Sequence, residues 1–378
     1  MSPPLPDGRR AGRVARAVEA WFAGAARDLP WRRADAGPDG ARRDPWSALV
    51  AEAMLQQTQV ARVVEKFGPF LERYPTPAAL ASAREEEVLA AWAGLGYYRR
   101  ARSLQAAARA IVAVHAGGVP SDPAALRRLP GVGAYTAGAV ASIVFGRREP
   151  IVDGNVARVL LRVEGRDLDP ADRETQRWAW AASERLVGSA GDPGVCNEGL
   201  MELGATVCTP ASPRCGSCPL ARSCRAKRLG LTGSIPRPRP RAGKRAVYHD
   251  LAVVRDGAGR VLVERRPAGG LWAGMVQPVG VESENGPSPR SAVARAAGVG
   301  AGELDRRGSF VFQTTHRAVH FTVYDAATGP AGSRAADREG RSWVAAADLP
   351  GLPLANPHRA ILLQGRPGRE PLFGGGGV

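Results

Sequence analysis

The chain has 378 residues and a formal net charge of +16, from 52 Lys and Arg against 36 Asp and Glu, long enough for two or three domains that each bury a core. The excess is nearly all arginine, since Lys66, Lys227 and Lys244 are the only lysines; a GC-rich coding bias would give the same result, so the charge by itself argues only weakly for a polyanionic partner. No apolar run reaches bilayer length and the start, MSPPLPDGRR, lacks the apolar core of a signal peptide, which predicts a soluble, cytoplasmic chain with no membrane partner.

In chain order, residues 1–12 read as a flexible tail. From Arg13 to about Arg225 the apolar spacing is helical, with one stripe in Val14, Val18, Trp21 and Phe22, another in Trp46, Leu49, Val50 and Ala53, and a third in Val60, Val63, Val64 and Phe67. The breakers RDLPW, YPTP and VPSDP separate them. AEAMLQQTQV puts the acid Glu52 on a mostly apolar helix, with Gln56 and Gln57 directly after it and Thr58 placed to cap the next helix. LPGVGAYTAGAV, from Leu129, reads as a helix-hairpin-helix: Gly131 and Gly133 allow a tight turn, and the amides opening the second helix form a nest suited to a phosphate, or simply an interhelical connection. PIVDGNVARVL sets Asp153 in a similarly apolar context, as an N-cap or as the partner of Glu52. Two carboxylates whose surroundings push their pKa values apart can divide acid and stabiliser roles at a glycosidic bond.

Four of the five cysteines fall together, Cys208, Cys215, Cys218 and Cys224, spaced C-x6-C-x2-C-x5-C. This favours metal over disulfides, and with a single close pair it suits a [4Fe-4S] cluster better than zinc. Cys196 stands outside the spacing as an ordinary buried thiol. From Leu203 to His249 there is no acidic residue while ten Arg and Lys occur, a solvated basic stretch or a phosphate-contacting one. After the basic, proline-rich 229–246 the period becomes that of strands: LAVVRDGAGRVLVERR reads as two strands about DGAG, and HRAVHFTVYD alternates Val319, Phe321 and Val323. The expected organisation is an all-α domain over 13–228, a linker over 229–246, an α+β domain over 247–368 and a disordered tail over 369–378.

Taken together, LPGVG, VDGNV and the cysteine spacing resemble the endonuclease III superfamily of DNA glycosylases, and RDLPWR, AEAMLQQTQV, GLGYYRRAR and NEGLMELG resemble its adenine-specific MutY branch. The resemblance implies double-stranded DNA with a mispaired adenine as partner, acted on by a monomer at the nucleoid, and a [4Fe-4S] cofactor on the four cysteines. Glu52 then matches the acid that protonates adenine, and Asp153 the carboxylate that stabilises the oxocarbenium ion, in the family through a covalent sugar intermediate; Asn155 and Tyr135 line the same site. Leu29, Trp31, Arg32 and Glu198 match the surroundings of the extruded adenine. Gln56, Gln57, Thr58, Tyr97, Leu129, Gly131, Val132, Gly133 and Arg222 match DNA contacts, with Gln57 and Tyr97 in or beside the gap left by the base. For Tyr97 and Tyr98, core packing is the competing explanation.

Relatives that also cut the strand carry a lysine at the position of Tyr135, because β-elimination needs an amine; its replacement predicts a monofunctional enzyme. The C-terminal domain resembles a Nudix-like domain that inspects the oxidised guanine opposite adenine. PSPRSAVARAAGVG holds no carboxylate for magnesium, so nucleotide hydrolysis is not expected. The family's Phe-Ser-His turn corresponds to Thr314, Thr315 and His316, which keeps a hydroxyl and the histidine but loses the aromatic. The alternatives are an endonuclease III-like pyrimidine glycosylase/lyase and a non-enzymatic iron–sulfur DNA-binding or redox protein.

Overall fold

The computed structural model describes residues 5–33, 41–237, 243–328 and 338–363. The backbone separates into two units, one formed by the described residues within 5–83 and 99–237, the other by 84–98 with those from 243 to 363.

Helices make up the first unit. Helix α1 (Gly8–Ala25) is capped by Asp7, whose carboxylate accepts from the Arg10 amide at 2.8 Å. The expected tail is therefore helical from Gly8, because Ala11 extends the Val14, Ala15, Val18 stripe by one turn and is itself buried. Next come α2 (Pro45–Leu55), α3 (Val60–Arg73) and α4 (Pro77–Ser82). Helix α3 buries Val63, Phe67 and Phe70 and leaves Val64 exposed; of two adjacent valines only one can face inward. Helix α5 (Glu85–Ala91) belongs to the second unit, which departs from the expected 13–228 boundary. The first unit resumes with α6 (Arg99–Val114), α7 (Pro123–Arg128), α8 (Ala134–Ala139), α9 (Gly154–Glu164), α10 (Arg173–Gly188), α11 (Pro193–Thr206) and α12 (Arg225–Arg228). Helix α8 runs directly into a π-helical turn, Val140–Val144. Helices α1, α9, α10 and α11 share a core that includes Val18, Leu161, Trp178 and Leu203.

The stretch read as a linker is partly folded. Ile235 is buried, and Arg237 donates from its amide to the Leu168 carbonyl at 3.2 Å. Residues 238–242 and the tail beyond 363 lie outside the described residues.

The second unit is built on a six-stranded sheet of order β4-β5-β1-β3-β2-β6. Its strands are β1 (Arg245–Arg255), β2 (Val261–Arg265), β3 (Val276–Ser283), β4 (Asp305–Gln313), β5 (Arg317–Ala327) and β6 (Arg341–Val344). Of the paired strands named here, β1 and β5 run parallel and the other pairs antiparallel. Alternation along the strands gives each face its own core: Leu251, Val253, Val319, Phe321 and Val323 pack with α14 (Asn356–Leu363), whereas Ala252, Val254 and Val279 pack with α13 (Arg290–Ala297). The two strands expected around DGAG are present, but their ladder pairing is Arg255 with Val261, and β3 lies between them in the sheet order.

Candidate active site

A cleft of about 230 Å³ in the helical unit is lined by Glu52, Asp153, Asn155, Tyr135, Leu29, Trp31, Arg32, Glu198 and Thr58. Eight of these are the residues expected around the reacting sugar and base, contributed by α2, α8, α9, α11 and the 3-10 turn Pro30–Arg32. Each is fixed locally. Helix α2 is opened by Asp44, which accepts from Ser47 N at 2.7 Å, and closed by Arg100, which donates to the carbonyls of Ala53, Met54 and Gln56 at 2.9, 2.8 and 2.5 Å. Thr58 does not cap α3 as expected; it accepts from Arg100 Nη2 at 2.9 Å. The π-turn after α8 contributes Val140, Ile143 and Val144 to the wall, a local widening typical of functional sites.

Asp153 is the N-cap foreseen for it and also lines the cleft with Glu52. It is the N-cap of α9, accepting from Val156 N at 2.7 Å through Oδ1, while Oδ2 accepts from Asn155 Nδ2 at 3.0 Å and the side chain faces the cleft. Asn155 is held in turn by Arg158, which donates to its Oδ1 at 2.8 Å. Gly204 of α11 allows that approach, since a Cβ there would stand 2.6 Å from Asn155 Cβ.

Burial pushes the Glu52 carboxyl up to about 7, and the charges of Glu198 and Asp153 push in the same direction, against a hydrogen bond from Tyr135. The Tyr135 phenol, held well above its usual pKa by burial and then by these carboxylates, also lies 2.9 Å from Met201 Sδ. The carboxylate is the stronger acceptor, so the phenol proton belongs to Glu52 whenever Glu52 is ionised. The site thus holds one carboxyl that keeps its proton well above the ordinary carboxylate range and, in the same cleft, another that caps a helix. That is the division of labour a general acid and a charge stabiliser need.

Three charged residues of the wall were not singled out from the sequence: Arg27, Arg43 and Glu202. Arg43 donates to both Glu198 oxygens at 3.0 and 2.7 Å, and Arg32 reaches Glu198 at 3.2 Å and Glu202 at 2.9 Å. Arg27 reaches Glu202 at 2.6 and 3.1 Å. Although burial favours the neutral acid, the bonds from Arg27 and Arg32 hold Glu202 below its ordinary pKa.

The hairpin connects α7 to α8 through Leu129–Gly133. Gly131 has φ 77°, and a Cβ there would lie 2.5 Å from Ser103 Cβ. Gly133 is extended, and a Cβ at that position would meet no atom within 4 Å, so only the first glycine is demanded by the turn itself. Leu129 is buried, and Val132 N closes the turn onto its carbonyl at 3.1 Å. A second cleft, of about 120 Å³, runs past Gly131, Val132 and Gln56, whose Nε2 donates to Thr136 Oγ1 at 3.3 Å. Gln57 is exposed with φ 57°, strained backbone for a residue with a Cβ.

Cys208, Cys215, Cys218 and Cys224 are free thiols that line one small cavity with Arg162 and Lys227. Among the described residues no three His, Cys, Asp or Glu are gathered as a single metal ion would require. A cuboidal cluster takes one thiolate per iron and spreads its sulfurs wider, so this donor set fits it better. Burial first, and then the neighbouring thiols, raise Cys218 to about 11; iron ligation would oppose that shift. Arg222 is exposed on this loop. Cys196 is a buried thiol, raised to about 12 chiefly by burial.

In the second unit the Tyr pair divides. Tyr98 is buried, with its hydroxyl donating to the Leu354 carbonyl at 3.1 Å, whereas Tyr97 is exposed with φ 46° and its hydroxyl meets Thr315 Oγ1. Thr314 serves the β4–β5 turn: its Oγ1 accepts from Arg317 N at 2.9 Å. The position expected to carry an aromatic thus has a structural hydroxyl, and Thr315 and His316 are left exposed.

Residues 50–185 match the family model of the HhH-GPD superfamily base excision DNA repair proteins, and 251–364 match a NUDIX domain model. The chain is 43% identical over 219 residues to the adenine DNA glycosylase of Mycolicibacterium smegmatis, covering 57% of this chain and 71% of that protein. This chain belongs to the adenine DNA glycosylase family. It is also 47% identical over 208 residues to the human member, which covers 55% of this chain but only 38% of the human protein. The chain thus spans about two fifths of the length of the mammalian family members it matches. A thermostable thymine-DNA glycosylase of solved structure superposes with a TM-score of 0.52 at 28% identity, over 59% of this chain and all of that one. Within the family, the helical unit corresponds to the glycosylase fold and the mixed sheet to the Nudix-like domain.

Proposed function

We propose that this chain is a monofunctional DNA glycosylase that removes adenine mispaired with 8-oxoguanine or guanine. The observation that carries the reading is Glu52: its carboxyl, raised to about 7 by burial and by nearby carboxylates, shares one cleft with Asp153. Protonated Glu52 donates to a ring nitrogen of an extruded adenine, so that the electrons of the C1′–N9 bond leave with a neutral base. Asp153 and the ionised form of Glu52 then face the oxocarbenium ion. Water adds its oxygen to C1′, and its proton returns to a carboxylate. The acid contributes roughly 10²–10⁴-fold.

Leu29 and Trp31 supply apolar contact for the flipped base, and Glu198, an acceptor when ionised, suits the exocyclic amine. The open side of Gly133 and the amides of the hairpin suit a DNA phosphate. Exposed Thr315 and His316, with Tyr97 beside Thr315, are the candidates for reading the opposing base. Cys208, Cys215, Cys218 and Cys224 would hold a [4Fe-4S] cluster. When bound, the cluster supplies structural ties to a loop whose Arg214, Arg222 and Lys227 suit phosphates. The protein is proposed to act as a monomer on the nucleoid in the cytoplasm.

The test is adenine release from duplexes with adenine opposite 8-oxoguanine, guanine or thymine, by wild type and Glu52→Gln. Release by wild type opposite the first two, abolished in the variant, is expected; no release from any duplex overturns the proposal. With Tyr135 where an amine would be needed, borohydride should trap no enzyme–DNA adduct, and efficient trapping would reveal a lyase.

A further inference from the structure

Glu198 and Glu202 stand one turn apart on α11, both nearly inaccessible at 6% and 1% exposure. They are threaded into a chain of alternating charge, Arg43–Glu198–Arg32–Glu202–Arg27. Its two ends differ. Arg27 at one end is 40% exposed in its side chain, whereas Arg43 at the other is only 20% exposed and grips Glu198 with both terminal nitrogens. This two-pronged geometry fixes a carboxylate in orientation as well as in charge, which a point charge cannot do. Arg43 sits directly before Asp44, the N-cap of α2, so the helix that carries Glu52 also sets where the guanidinium enters the cleft.

The hydrogen bonds at Glu198 leave one direction open. Oε1 accepts from Arg43 Nη1 and Arg32 Nε, and Oε2 accepts from Arg43 Nη2. An ionised carboxylate has about four acceptor directions, which leaves one on Oε2, and Glu198 lines the cleft. An acceptor with no proton to give favours a base that presents an amine and opposes one that presents an oxo group, because two acceptors would then be desolvated face to face.

We propose that Arg43 is a positioning residue that fixes Glu198 as the acceptor reading the amine of the extruded base, and so sets the preference for amino over oxo purines. The inference rests on the adenine glycosylase reading above. Arg43 acts through Glu198 and needs no contact with the DNA. The rival role is a direct phosphate contact, which would appear in DNA affinity and its salt dependence.

The test is a double-mutant cycle on the full chain with Arg43→Met, Glu198→Gln and the pair, with Arg43→Lys as the charge-keeping variant and thermal melting to verify folding. Single-turnover release of adenine and of hypoxanthine, which carries oxo in place of the amine, is measured beside DNA affinity at several salt concentrations. Arg43→Met is expected to slow adenine release about tenfold or more in the wild-type background and far less in Glu198→Gln. It should also shift the adenine-to-hypoxanthine ratio towards hypoxanthine, with DNA affinity and salt slope unchanged and Arg43→Lys intermediate. Additive losses, an unchanged base ratio, or weaker binding with a flatter salt slope would overturn it. If wild type released no adenine, the functional reading would fail instead, before the role of Arg43 was reached.

Discussion

Cys208 and Asn155 are held by the same guanidinium: Arg158 donates through Nε to the Cys208 carbonyl at 2.8 Å and through Nη2 to Asn155 Oδ1 at 2.8 Å. Asn155 in turn donates to Asp153 at 3.0 Å. A loop of cysteines is thereby connected in three hydrogen bonds to the Asp153 carboxylate in the cleft. One turn further along α9, Arg162 donates to the carbonyls of Cys208, Thr209, Pro210 and Ile235 without touching the cleft.

The two arginines therefore separate two effects. Arg158→Met strands the Cys208 and Gly204 carbonyls and frees Asn155, and should cost on the order of 3 kcal/mol while slowing adenine release even in protein that retains its iron. Arg162→Met should cost at least as much stability and impair iron retention, yet protein that stays loaded should release adenine at nearly the wild-type rate. Iron content, melting and single-turnover rates on the same preparations decide the matter. Equal catalytic losses per loaded molecule would mean that Arg158 has no special tie to the site.

Glu52 predicts a pH profile. On the mechanism proposed above the acid is protonated to act, so adenine release should decline as pH rises through about 7. The linkage has the same sign. Unfolded Glu52 ionises near the ordinary carboxyl value of 4.5 while the folded carboxyl keeps its proton to about 7, so stability is lost as pH rises between these values. Glu52→Gln removes that loss. It should melt higher than wild type at pH 8, by an amount of at most about 3 kcal/mol, and near wild type at pH 4, while releasing no adenine. A variant no more stable at pH 8 than wild type would contradict the burial of this carboxyl.

His358 predicts the opposite slope in the second unit. Fully buried, it finds no hydrogen-bond partner for either ring nitrogen among the described residues, and packs against Trp272 and Phe321 at centroid distances of 5.0 and 5.8 Å. Burial first, then the neighbouring His249 and Arg266, hold its pKa well below 6.5, with Glu282 opposing. The unfolded chain takes up a proton near 6.5 that the folded state refuses, so stability is full above that pH and falls below it by up to about 1.4 kcal/mol per unit. Glu282 itself, lowered to about 2 chiefly by His249, whose Nε2 lies 3.2 Å from its carboxylate, and then by Arg266, adds a further loss as pH drops from 4.5. Denaturation of the full chain with urea at pH 5 and 7.5 should show this fall in wild type and a much flatter response in His358→Leu.

How much of this was legible beforehand depended on contrast. Glu52, Asp153 and the four cysteines stood out as polar residues in apolar runs or in a distinctive spacing; the first two line one cleft and the four thiols line one small cavity. Arg43, Arg158 and Arg162 did not, because one more arginine in so basic a sequence carries no signal until its partners are known. Thr58 and Val64 went wrong for a related reason: local pattern offers a cap or a buried valine, and tertiary partners such as Arg100 decide otherwise. Segment 84–98 reads as helix like its neighbours, and nothing in its period says which core it joins.

The two hairpin glycines give the last prediction. Gly131 is confined by its φ of 77° and by Ser103, whereas Gly133 is extended and open. Gly131→Ala must shift the α6 backbone or the turn, and should cost about 1 kcal/mol or more of stability together with DNA affinity. Gly133→Ala meets no protein atom within 4 Å, so the fold should tolerate it, and only an approaching phosphate would feel the added methyl. The expected result is a variant that melts like wild type but binds duplex DNA more weakly irrespective of sequence. Unchanged affinity in Gly133→Ala would mean that the DNA backbone does not approach this turn closely, and the hairpin would revert to a plain connection between two helices.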